Sequence, residues 1–334
     1  MSAKQTSRPA SRNFDKELAE LDALKGAVLD AAAVEHLRKT LAHRNNFLVA
    51  KAAKLVADAE LFALLPDVLA AYERFFIDAA KIDTKCWAKD ALVKTLVRLE
   101  HREKDTYLRG MRHHQMEASW GPPVDSAGAL RGACTLALVD CPGISDADLL
   151  AILLEPLLDS DKTVRMEAAR AIGQVGGVSA ALVLRLRALL GKHEPEPEVM
   201  GAVYSALLGL EGERAIPVVS AALKEGDELA AEAAFALAGL RASEALAALI
   251  ARFRAGADAW FASVLFSAVA LTRLPEAMDF LVAIVEQDAR EAPAAIEAIG
   301  RSAPTSELRA RVEQAIEQAD SVRLRLAFRE HMPA

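Results

Sequence analysis

Apolar residues recur along this chain at the spacing of one face of an α-helix, and the recurrence is clearest between Asp161 and Gly177. This segment, D-K-T-V-R-M-E-A-A-R-A-I-G-Q-V-G-G, begins with an Asp that can cap a helix and ends with two glycines that can terminate it. A helical pattern repeated about every 30–35 residues predicts a solenoid of stacked helical hairpins. Degenerate copies follow at Glu198–Gly212, Glu228–Arg241, Ala259–Leu274 and Glu291–Ser302.

The same pattern divides the chain into a short lead-in and one long array. Residues 1–12 are polar and are predicted to be disordered. Residues 13–334 are predicted to form a single all-α, right-handed α-α superhelix of roughly eight to nine hairpins, with a longer irregular insertion near 101–128. Its predicted parts are irregular repeats over 13–140, regular repeats over 141–303 and charged capping helices over 304–334.

Individual helices are predicted from the apolar periodicity and from the Gly and Pro residues between segments. In the irregular part they are 31–43, 46–59, 61–78 and 85–100. In the regular part, the first helices of the hairpins are 146–158, 179–190, 214–224, 244–253 and 276–287, and the second helices are 162–175, 198–210, 228–240, 259–272 and 291–300. The final helices are 306–318 and 321–331. No segment alternates between apolar and polar residues with the period of a strand, so no sheet is predicted.

Composition indicates closely packed helices and a reducing environment. Hydrophobic residues make up 53% of the chain but aromatic residues only 5%, so the core is expected to consist of Ala, Leu, Val and Ile. The three cysteines, Cys86, Cys134 and Cys141, form no metal-binding pattern and are expected to be buried free thiols. The N-terminal residues lack a signal sequence, and the longest uncharged run, 259–272, is too short to span a bilayer. We therefore expect a cytoplasmic protein.

The net charge of −7 is distributed unevenly along the chain. Residues 1–115 contain 20 Lys and Arg against 16 Asp and Glu, whereas the remainder contains 20 against 31, which gives net charges of +4 and −11. A basic N-terminal part could meet an anionic partner. The alternative is an ordinary solvated surface of mixed charge.

Segments of the regular part resemble a known repeat. T-V-R-M-E-A-A-R-A-I-G-Q-V-G-G is similar to the second helix of a HEAT repeat, particularly the short variety found in phycobilin lyases. The upstream L-L-A-I-L-L-E-P-L-L-D-S-D is similar to the first helix and turn of such a repeat. The resemblance covers most of residues 146–302 and, more loosely, 31–101, and it implies a bacterial-type HEAT-like α-solenoid. HEAT arrays serve as scaffolds, adaptors, lyase subunits and DNA glycosylases, so the resemblance specifies a fold more than a function.

The insertion concentrates polar and aromatic residues and is a first candidate site. An insertion in a solenoid usually projects from one face, and Arg side chains beside Trp and Tyr can bind a carboxylate or a phosphate. The alternative is an exposed helix over 109–117, followed by a turn, with the tryptophan packed in the core. The candidate residues are Tyr107, Arg109, Arg112, His113, His114, Glu117 and Trp120.

A second candidate site is the concave groove that the second helices of a solenoid usually line. In the clearest repeat, the apolar stripe leaves Glu167, Arg170 and Gln174 facing outward at helical spacing. The same register in later repeats places Glu232 and Phe235 outward, and the next helix carries Trp260. An apolar patch of this kind can hold a partner helix or peptide. The alternative is that the aromatic residues belong to the core.

Motifs for catalysis or cofactor binding are absent from the sequence, which has no phosphate-binding glycine loop, no nucleophile elbow and no H-E-x-x-H. We therefore expect no catalytic residue, no cofactor and no metal. The hypothesis is a cytoplasmic scaffold or adaptor that binds a protein or peptide in its groove and contacts no membrane; its oligomeric state is open. One alternative is a DNA-binding or repair protein of the HEAT-fold glycosylase type, which would use the Lys-rich N-terminal part with Trp87 and Asp90, although interleaved acidic residues disfavour nucleic acid. Another is a lyase-type subunit that handles a prosthetic group.

Overall fold

The structure, a computed structural model, describes residues 9–333 and their side chains from Phe14 onward. The first eight residues of the predicted lead-in lie outside this range, and a helix begins at Pro9, within that lead-in. The described chain falls into two compact units, one ending at Ala168 and the other beginning at Ala169.

In the first unit, helix α6 packs against α3 on one side and α8 on the other. The elements of this unit are α1 (Pro9–Ala23), α2 (Ala31–Leu41), α3 (Asn46–Asp58), α4 (Leu65–Arg74), α5 (Ala79–Ile82), α6 (Trp87–Arg98), α7 (Lys104–Met111), β1 (Met116–Glu117), β2 (Val124–Asp125), α8 (Gly128–Ala137) and α9 (Asp146–Leu153). Helix α2 packs on α3, α4 on α6, and α7 on α8, so that each stacked helix has an antiparallel companion. Helix α10 (Lys162–Val175) contributes residues to both units.

The elements of the second unit are α11 (Gly177–Leu189), α12 (Pro197–Glu211), α13 (Ile216–Ser220), α14 (Glu228–Leu240), α15 (Ser243–Arg254), α16 (Ala259–Thr272), α17 (Pro275–Glu286), α18 (Ala292–Arg301), α19 (Ser306–Ala319) and α20 (Val322–His331). Helices α12, α14, α16, α18 and α20 stack in that order, and each is preceded in the chain by the first helix of its hairpin.

Capping side chains fix where the second helices begin. Oδ1 of Asp227 accepts a hydrogen bond of 2.9 Å from a first-turn amide of α14, and Oδ1 of Asp258 accepts one of 2.8 Å in α16. The same helices stop at Arg241 and Arg273, whose backbones are left-handed, with φ of 53° and 58°. Arg241 and Arg273 are 32 residues apart, so α14 and α16 end at equivalent positions of consecutive repeats.

Small residues allow the stacked helices to approach closely. A Cβ atom on Gly173 would lie 2.9 Å from the Cβ of Ala206, and a Cβ on Gly201 would collide with the carboxylate of Glu232. Helix α14 buries five alanines. The core therefore consists mainly of the short and branched aliphatic side chains that the composition suggests.

The prediction of an all-α array of helical hairpins is confirmed. The helices predicted at 162–175, 228–240 and 259–272 have these bounds in the structure. The helix predicted at 214–224 is instead the short α13 flanked by 3-10 turns, because Pro217 has no amide hydrogen to continue a helix from the preceding turn. Helices α1, α7 and α8 were not predicted, and the strand pair β1–β2 is a small departure from the helical pattern.

Candidate functional site

The predicted insertion folds into a helix, a two-stranded hairpin and the start of another helix. Strands β1 and β2 follow α7 and pair antiparallel, with Met116 opposite Asp125. Trp120 lies at the tip of this hairpin with its side chain fully exposed. The alternative of a helix over 109–117 with a core tryptophan is wrong, because α7 ends at Met111 and the Gly-Pro-Pro sequence after Trp120 favours a turn.

A fully buried ion pair lies next to this hairpin. Nζ of Lys89 donates hydrogen bonds to Oδ2 of Asp83 at 2.9 Å, to the backbone oxygen of Phe75 at 3.2 Å and to Oε1 of Gln115 at 2.8 Å. Asp83 also accepts from the backbone amides of Ala88 and Lys89, at 2.8 and 3.1 Å. All three ammonium hydrogens thus have acceptors, which offsets the desolvation of the two charges.

The side-chain amide of Gln115 joins this ion pair to the hairpin. Its Nε2 donates to the backbone oxygen of Asp83 at 2.7 Å and to Oε1 of Glu117 at 2.6 Å. The same Glu117 oxygen accepts from Oγ of Ser126 and from the backbone amide of Lys85, both at 2.7 Å. Burial raises the pKa of Glu117, but these hydrogen bonds outweigh burial and leave the pKa below its usual value. Lys85 has a left-handed backbone with φ of 60°, and its bond to Glu117 helps to hold this strained geometry.

Arg131 closes the base of the hairpin from α8. Its guanidinium is buried and makes two bonds of 2.9 Å to the carboxylate of Asp159 and one of 2.6 Å to Oδ2 of Asp125. Asp125 also accepts from the backbone amides of Gln115 and Ala127, at 2.9 and 3.0 Å. Burial opposes ionisation of Asp125, yet the hydrogen bonds prevail and its pKa lies well below the usual range. The hairpin that carries Trp120 is therefore held at its base by a satisfied polar network.

Two residues predicted for the insertion surface lie on α7, and they point in different directions. Tyr107 is buried beside Met111, and its hydroxyl donates to the backbone oxygen of His101 at 2.7 Å, so its assignment to an exposed surface is corrected. The exposed Arg109 pairs with Glu73. Tyr107 and Met111 are four residues apart on the apolar side of the helix, which accounts for the burial of the tyrosine.

The other five predicted residues follow α7. Arg112, His114 and Trp120 are exposed. His113 is partly buried, and burial lowers its pKa, while Glu117 faces the network below the hairpin. The seven predicted residues therefore do not converge on one recognition surface, and Trp120 is fully exposed.

Sequence reasoning missed the buried charges that hold the hairpin. Lys89 follows Ala88 at a position of α6 that the helical register assigns to the core, and a charged residue at a core position is a detectable signal. The partners of this lysine are distant in sequence and carry no local signal of their own. The missed residues are Asp83, Lys89, Gln115, Asp125, Ser126, Arg131 and Asp159.

The second unit carries exposed and partly exposed residues at matching positions of α12, α14 and α16. Phe235 and Trp260 are 41% and 48% exposed, so they lie at the surface, whereas Phe261 and Phe266 of α16 are buried. Arg170 is exposed at the corresponding position of α10. We call this set of residues the second-helix face; its members are Ser205, Gly209, Glu228, Glu232, Phe235, Gly239, Trp260, Ser267 and Leu271.

Carboxylates flank the aromatic residues of the second-helix face. Glu232 packs against Gly201, and burial together with the charge of Glu198 raises its pKa. Gln174 is exposed on α10. Glu167 belongs to the first unit, where its Cγ atom lies against Gly132.

Several basic residues of the first unit are paired with carboxylates. Lys94 lies 2.8 Å from Asp90, the acidic residue considered for a nucleic-acid site. The ring of Trp87 is 47% exposed and makes an edge contact with Phe47, with 5.8 Å between ring centres. Lys51 with Asp22 and Arg98 with Glu60 are further pairs. A phosphate at this surface would have to compete with these carboxylates.

Comparison with protein families gives a match in the central part of the chain. Residues 147–238 match the family model of HEAT repeats. The matched span runs from α9 through α14 and contains three consecutive hairpins. No curated protein matches the chain. HEAT repeats form helical scaffolds that usually mediate protein interactions, and the match indicates a helical repeat scaffold over these residues.

The three cysteines of the first unit, Cys86, Cys134 and Cys141, are buried free thiols. Burial raises the pKa of Cys86 and Cys134 to about 12 and that of Cys141 to about 11, so these thiols are poor nucleophiles at neutral pH. Between residues 9 and 333, no group of three or more His, Cys, Asp or Glu side chains is placed to hold a metal ion. Within the same residues, no helix combines the length and the apolar character needed to cross a bilayer.

Proposed function

We propose that the protein is a non-catalytic HEAT-repeat scaffold that binds a protein or peptide segment on the second-helix face. The observation that carries this proposal is the exposure of Phe235 and Trp260 on neighbouring helices of one stack. An exposed aromatic ring beside a groove can enter a pocket of a partner and contribute a large share of the binding energy.

The floor of this face suits a helix or an extended peptide. Small residues, Ser205, Gly209, Gly239 and Ser267, surround Phe235 at the same register of the three helices. Such residues leave room for another backbone to approach the stack. The aromatic rings would then contact apolar side chains that recur every three or four residues of the partner.

The charges of the face suggest the chemistry of the partner. Glu228 and Glu232 lie on α14, and Glu198 lies on the adjacent α12. We therefore propose a partner that carries Lys or Arg beside its apolar anchors, since opposite charges at an interface favour encounter and correct orientation. Arg170 and Gln174 on α10 are proposed to extend the contact.

Affinity capture from native cells tests this function. Wild-type protein and the double variant Phe235→Ala/Trp260→Ala would be used as baits, with Leu326→Ala as a control because Leu326 is an exposed residue of α20. We expect mass spectrometry to identify a partner retained by the wild type and the control but lost, by at least about tenfold, from the double variant. Equal capture by all three baits, with unchanged circular dichroism, would contradict binding on this face.

A DNA-binding role is the second candidate, favoured by the exposed Trp87–Phe47 pair with Nζ of Lys85 at 5.4 Å from the tryptophan ring. Base stacking on such a platform would be expected to depend strongly on salt. Fluorescence anisotropy with duplex and single-stranded DNA at about 50 and about 200 mM salt distinguishes this candidate from the first. Retention of DNA that is lost at the higher salt and in Trp87→Ala would support it.

Two remaining proposals concern cofactor and location. The resemblance to lyase-type short repeats motivates a test for a prosthetic group, by the absorption spectrum and intact mass of protein purified from its own cells. The three buried thiols support a reducing compartment, for which we propose the cytoplasm.

A further inference from the structure

The second unit contains a cleft between the first helices of two consecutive hairpins. It measures about 460 Å³ and lies between the C-terminal end of α11 and the end of α13, with the first turn of α14 at its rim. Alanines line both sides, Ala188 on α11 and Ala221 and Ala222 just after α13, and their short side chains leave the space unfilled. Tyr204 of α12 is the buried residue at its floor, so we call it the Tyr204 cleft. Its volume lies within the range of small-molecule sites.

The hydroxyl of Tyr204 has no hydrogen-bond partner within the part of the chain that the structure describes. The residue is only 2% exposed, and Asp227 and Arg187 influence its hydroxyl through their charges and not through hydrogen bonds. Tyr107, by contrast, donates its hydroxyl to the backbone oxygen of His101 at 2.7 Å. A buried polar group without a partner is rare, because the loss of its contacts with water is not offset. The Tyr204 hydroxyl is therefore a polar group that a molecule in the cleft can satisfy.

Gly191 gives the cleft access to this hydroxyl. A Cβ atom on Gly191 would lie 3.2 Å from the hydroxyl oxygen of Tyr204 and 2.9 Å from the terminal methyl carbon of Met200. The hydroxyl thus lies beside a lining residue that has no side chain to cover it. Burial, to which the charge of Asp227 adds, raises the pKa of Tyr204 to about 12. The hydroxyl consequently keeps its proton at neutral pH and has a hydrogen to donate.

The charged residues at the rim of the Tyr204 cleft balance one another. Glu194 pairs with Arg187, and Asp227 accepts the hydrogen bond from a first-turn amide that caps α14. The remaining charged residues of the lining are two lysines and two glutamates, Lys192, Lys224, Glu225 and Glu228. A rim of this composition selects neither an anion nor a cation, and a charged group at the floor would lose its hydration without gaining an opposite charge.

We propose that the Tyr204 cleft binds a small neutral molecule that combines an apolar body with a carbonyl oxygen. The carbonyl oxygen accepts the hydrogen bond of the Tyr204 hydroxyl, and the apolar body contacts Pro197, Val218 and Leu229 in the lining. The site shares only Glu228 with the second-helix face, so it is separate from the proposed partner surface.

Saturation-transfer difference NMR of the full chain with N-benzylacetamide tests the site. This probe carries an aromatic ring and a neutral amide, and its size leads us to expect a dissociation constant on the order of 1 mM. Tyr204→Phe keeps the ring and removes the hydrogen bond, so it should weaken binding about three- to tenfold. Equal affinity of Tyr204→Phe and the wild type overturns the proposal, as does a wild type that does not bind the probe at about 10 mM.

A variant that fills the cleft tests the location. Ala222→Leu places a larger side chain in the space and should abolish binding of N-benzylacetamide, with circular dichroism used to confirm that the protein is folded. Ala251→Leu is the matched control, because Ala251 is an exposed residue of α15 outside the cleft, and it should bind like the wild type. Binding that persists in folded Ala222→Leu overturns the assignment; if that variant does not fold, Tyr204→Phe decides.

Charged probes of similar size test the chemical class of the ligand. 3-Phenylpropionate carries a carboxylate, and 3-phenylpropylamine carries an ammonium group at neutral pH. Both should bind about tenfold more weakly than the amide, because each would bury a charge without a counter-ion. Binding of either one as tightly as the amide overturns the preference for a neutral ligand.

Thermal melts without any ligand test whether the hydroxyl of Tyr204 is free. Tyr204→Phe removes a hydroxyl that has no partner, so its melting temperature should match that of the wild type within about 1 °C. Tyr107→Phe is the comparison, because it removes the bond to the backbone oxygen of His101 and should lower the melting temperature by about 2–4 °C. An equal fall in the two variants would show that the Tyr204 hydroxyl already has a partner and would overturn the proposal.

Discussion

Nζ of Lys89 lies 2.9 Å from Oδ2 of Asp83, and both side chains are wholly buried. The pair is connected through Gln115 and Glu117 to the hairpin that displays Trp120. A buried ion pair adds little stability compared with well-packed apolar residues. Removal of either member alone, however, lowers the free energy of unfolding strongly, because the other charge stays buried without a partner. Its effect here is to fix the position of the hairpin relative to α6.

Removal of one charge from this pair should destabilise the first unit strongly. Lys89→Met leaves the Asp83 carboxylate buried without its counter-ion, so we expect a loss of about 3–5 kcal/mol in the free energy of unfolding. Urea denaturation followed by circular dichroism measures it. Lys94→Met is the matched control, because Lys94 pairs with Asp90 in a partly exposed position, and it should cost less than about 1 kcal/mol. The double variant Asp83→Asn/Lys89→Met should recover part of the loss; if it is no more stable than Lys89→Met, the buried charge is not the cause.

The two phenylalanines Phe235 and Phe266 should respond differently to truncation. Phe266 is fully buried, with its ring 4.7 Å from that of Phe253, so Phe266→Ala is expected to cost about 3–5 kcal/mol. Phe235→Ala removes a partly exposed ring and is expected to cost about 1 kcal/mol or less. Urea denaturation of both variants provides the comparison. If the two variants lost similar amounts of the free energy of unfolding, Phe235 would be a core residue and would not belong to the proposed binding face.

Gly110 should not tolerate a methyl group. A Cβ at this position would collide with Sγ of Cys134 and with the hydroxyl oxygen of Tyr72, both of which are buried. We expect Gly110→Ala to destabilise the protein by about 1–3 kcal/mol, through overpacking between α7 and α8. Gly209→Ala is the control, because no atom lies within 4 Å of a Cβ there, and it should be neutral or slightly stabilising. A thermal melt in which both variants behave alike would argue against the close packing at Gly110.

Acid should weaken the polar network around Asp125 and Asp159. Hydrogen bonds, with the Arg131 guanidinium among their donors, lower the pKa of Asp125 and Asp159 in the folded protein despite burial. Folded pKa values below the unfolded value of about 3.8 mean that the stabilisation is complete above that pH and is lost as the pH falls towards the folded values. Urea denaturation between about pH 6 and pH 2 should show this loss. Asp159→Asn should be less stable at neutral pH but should lose less on acidification, whereas Asp105→Asn, at an exposed site, should follow the wild type.

The regular helices could be predicted because their signals are local. The start of α14 follows from the Asp227 cap and the run of alanines after it, all within one short segment. The register transferred from α10 likewise places Phe235 on an outward row. Exposure of Trp260 could not be separated from burial of the adjacent Phe261, because neighbouring positions on an almost wholly apolar helix give no contrast.

The arrangement around Trp120 could not be predicted for the opposite reason. The bond between Lys89 and Gln115 spans 26 residues, and that between Arg131 and Asp159 spans 28. Hydrophobic periodicity records which face of a helix is buried, but it does not record which distant polar group meets another. The Tyr204 cleft was missed for a related reason, since a tyrosine with a free hydroxyl and one with a bonded hydroxyl are identical in sequence.

The three tryptophans of this chain, Trp87, Trp120 and Trp260, share one property that has an optical consequence. Each is about half exposed or more, so their indole rings already meet water in the folded state. Intrinsic fluorescence should therefore emit at long wavelength before denaturation and change little on unfolding. A blue shift on adding a ligand would instead show that binding excludes water from at least one of the three indole rings. Replacing the tryptophans one at a time by phenylalanine would show which ring is covered.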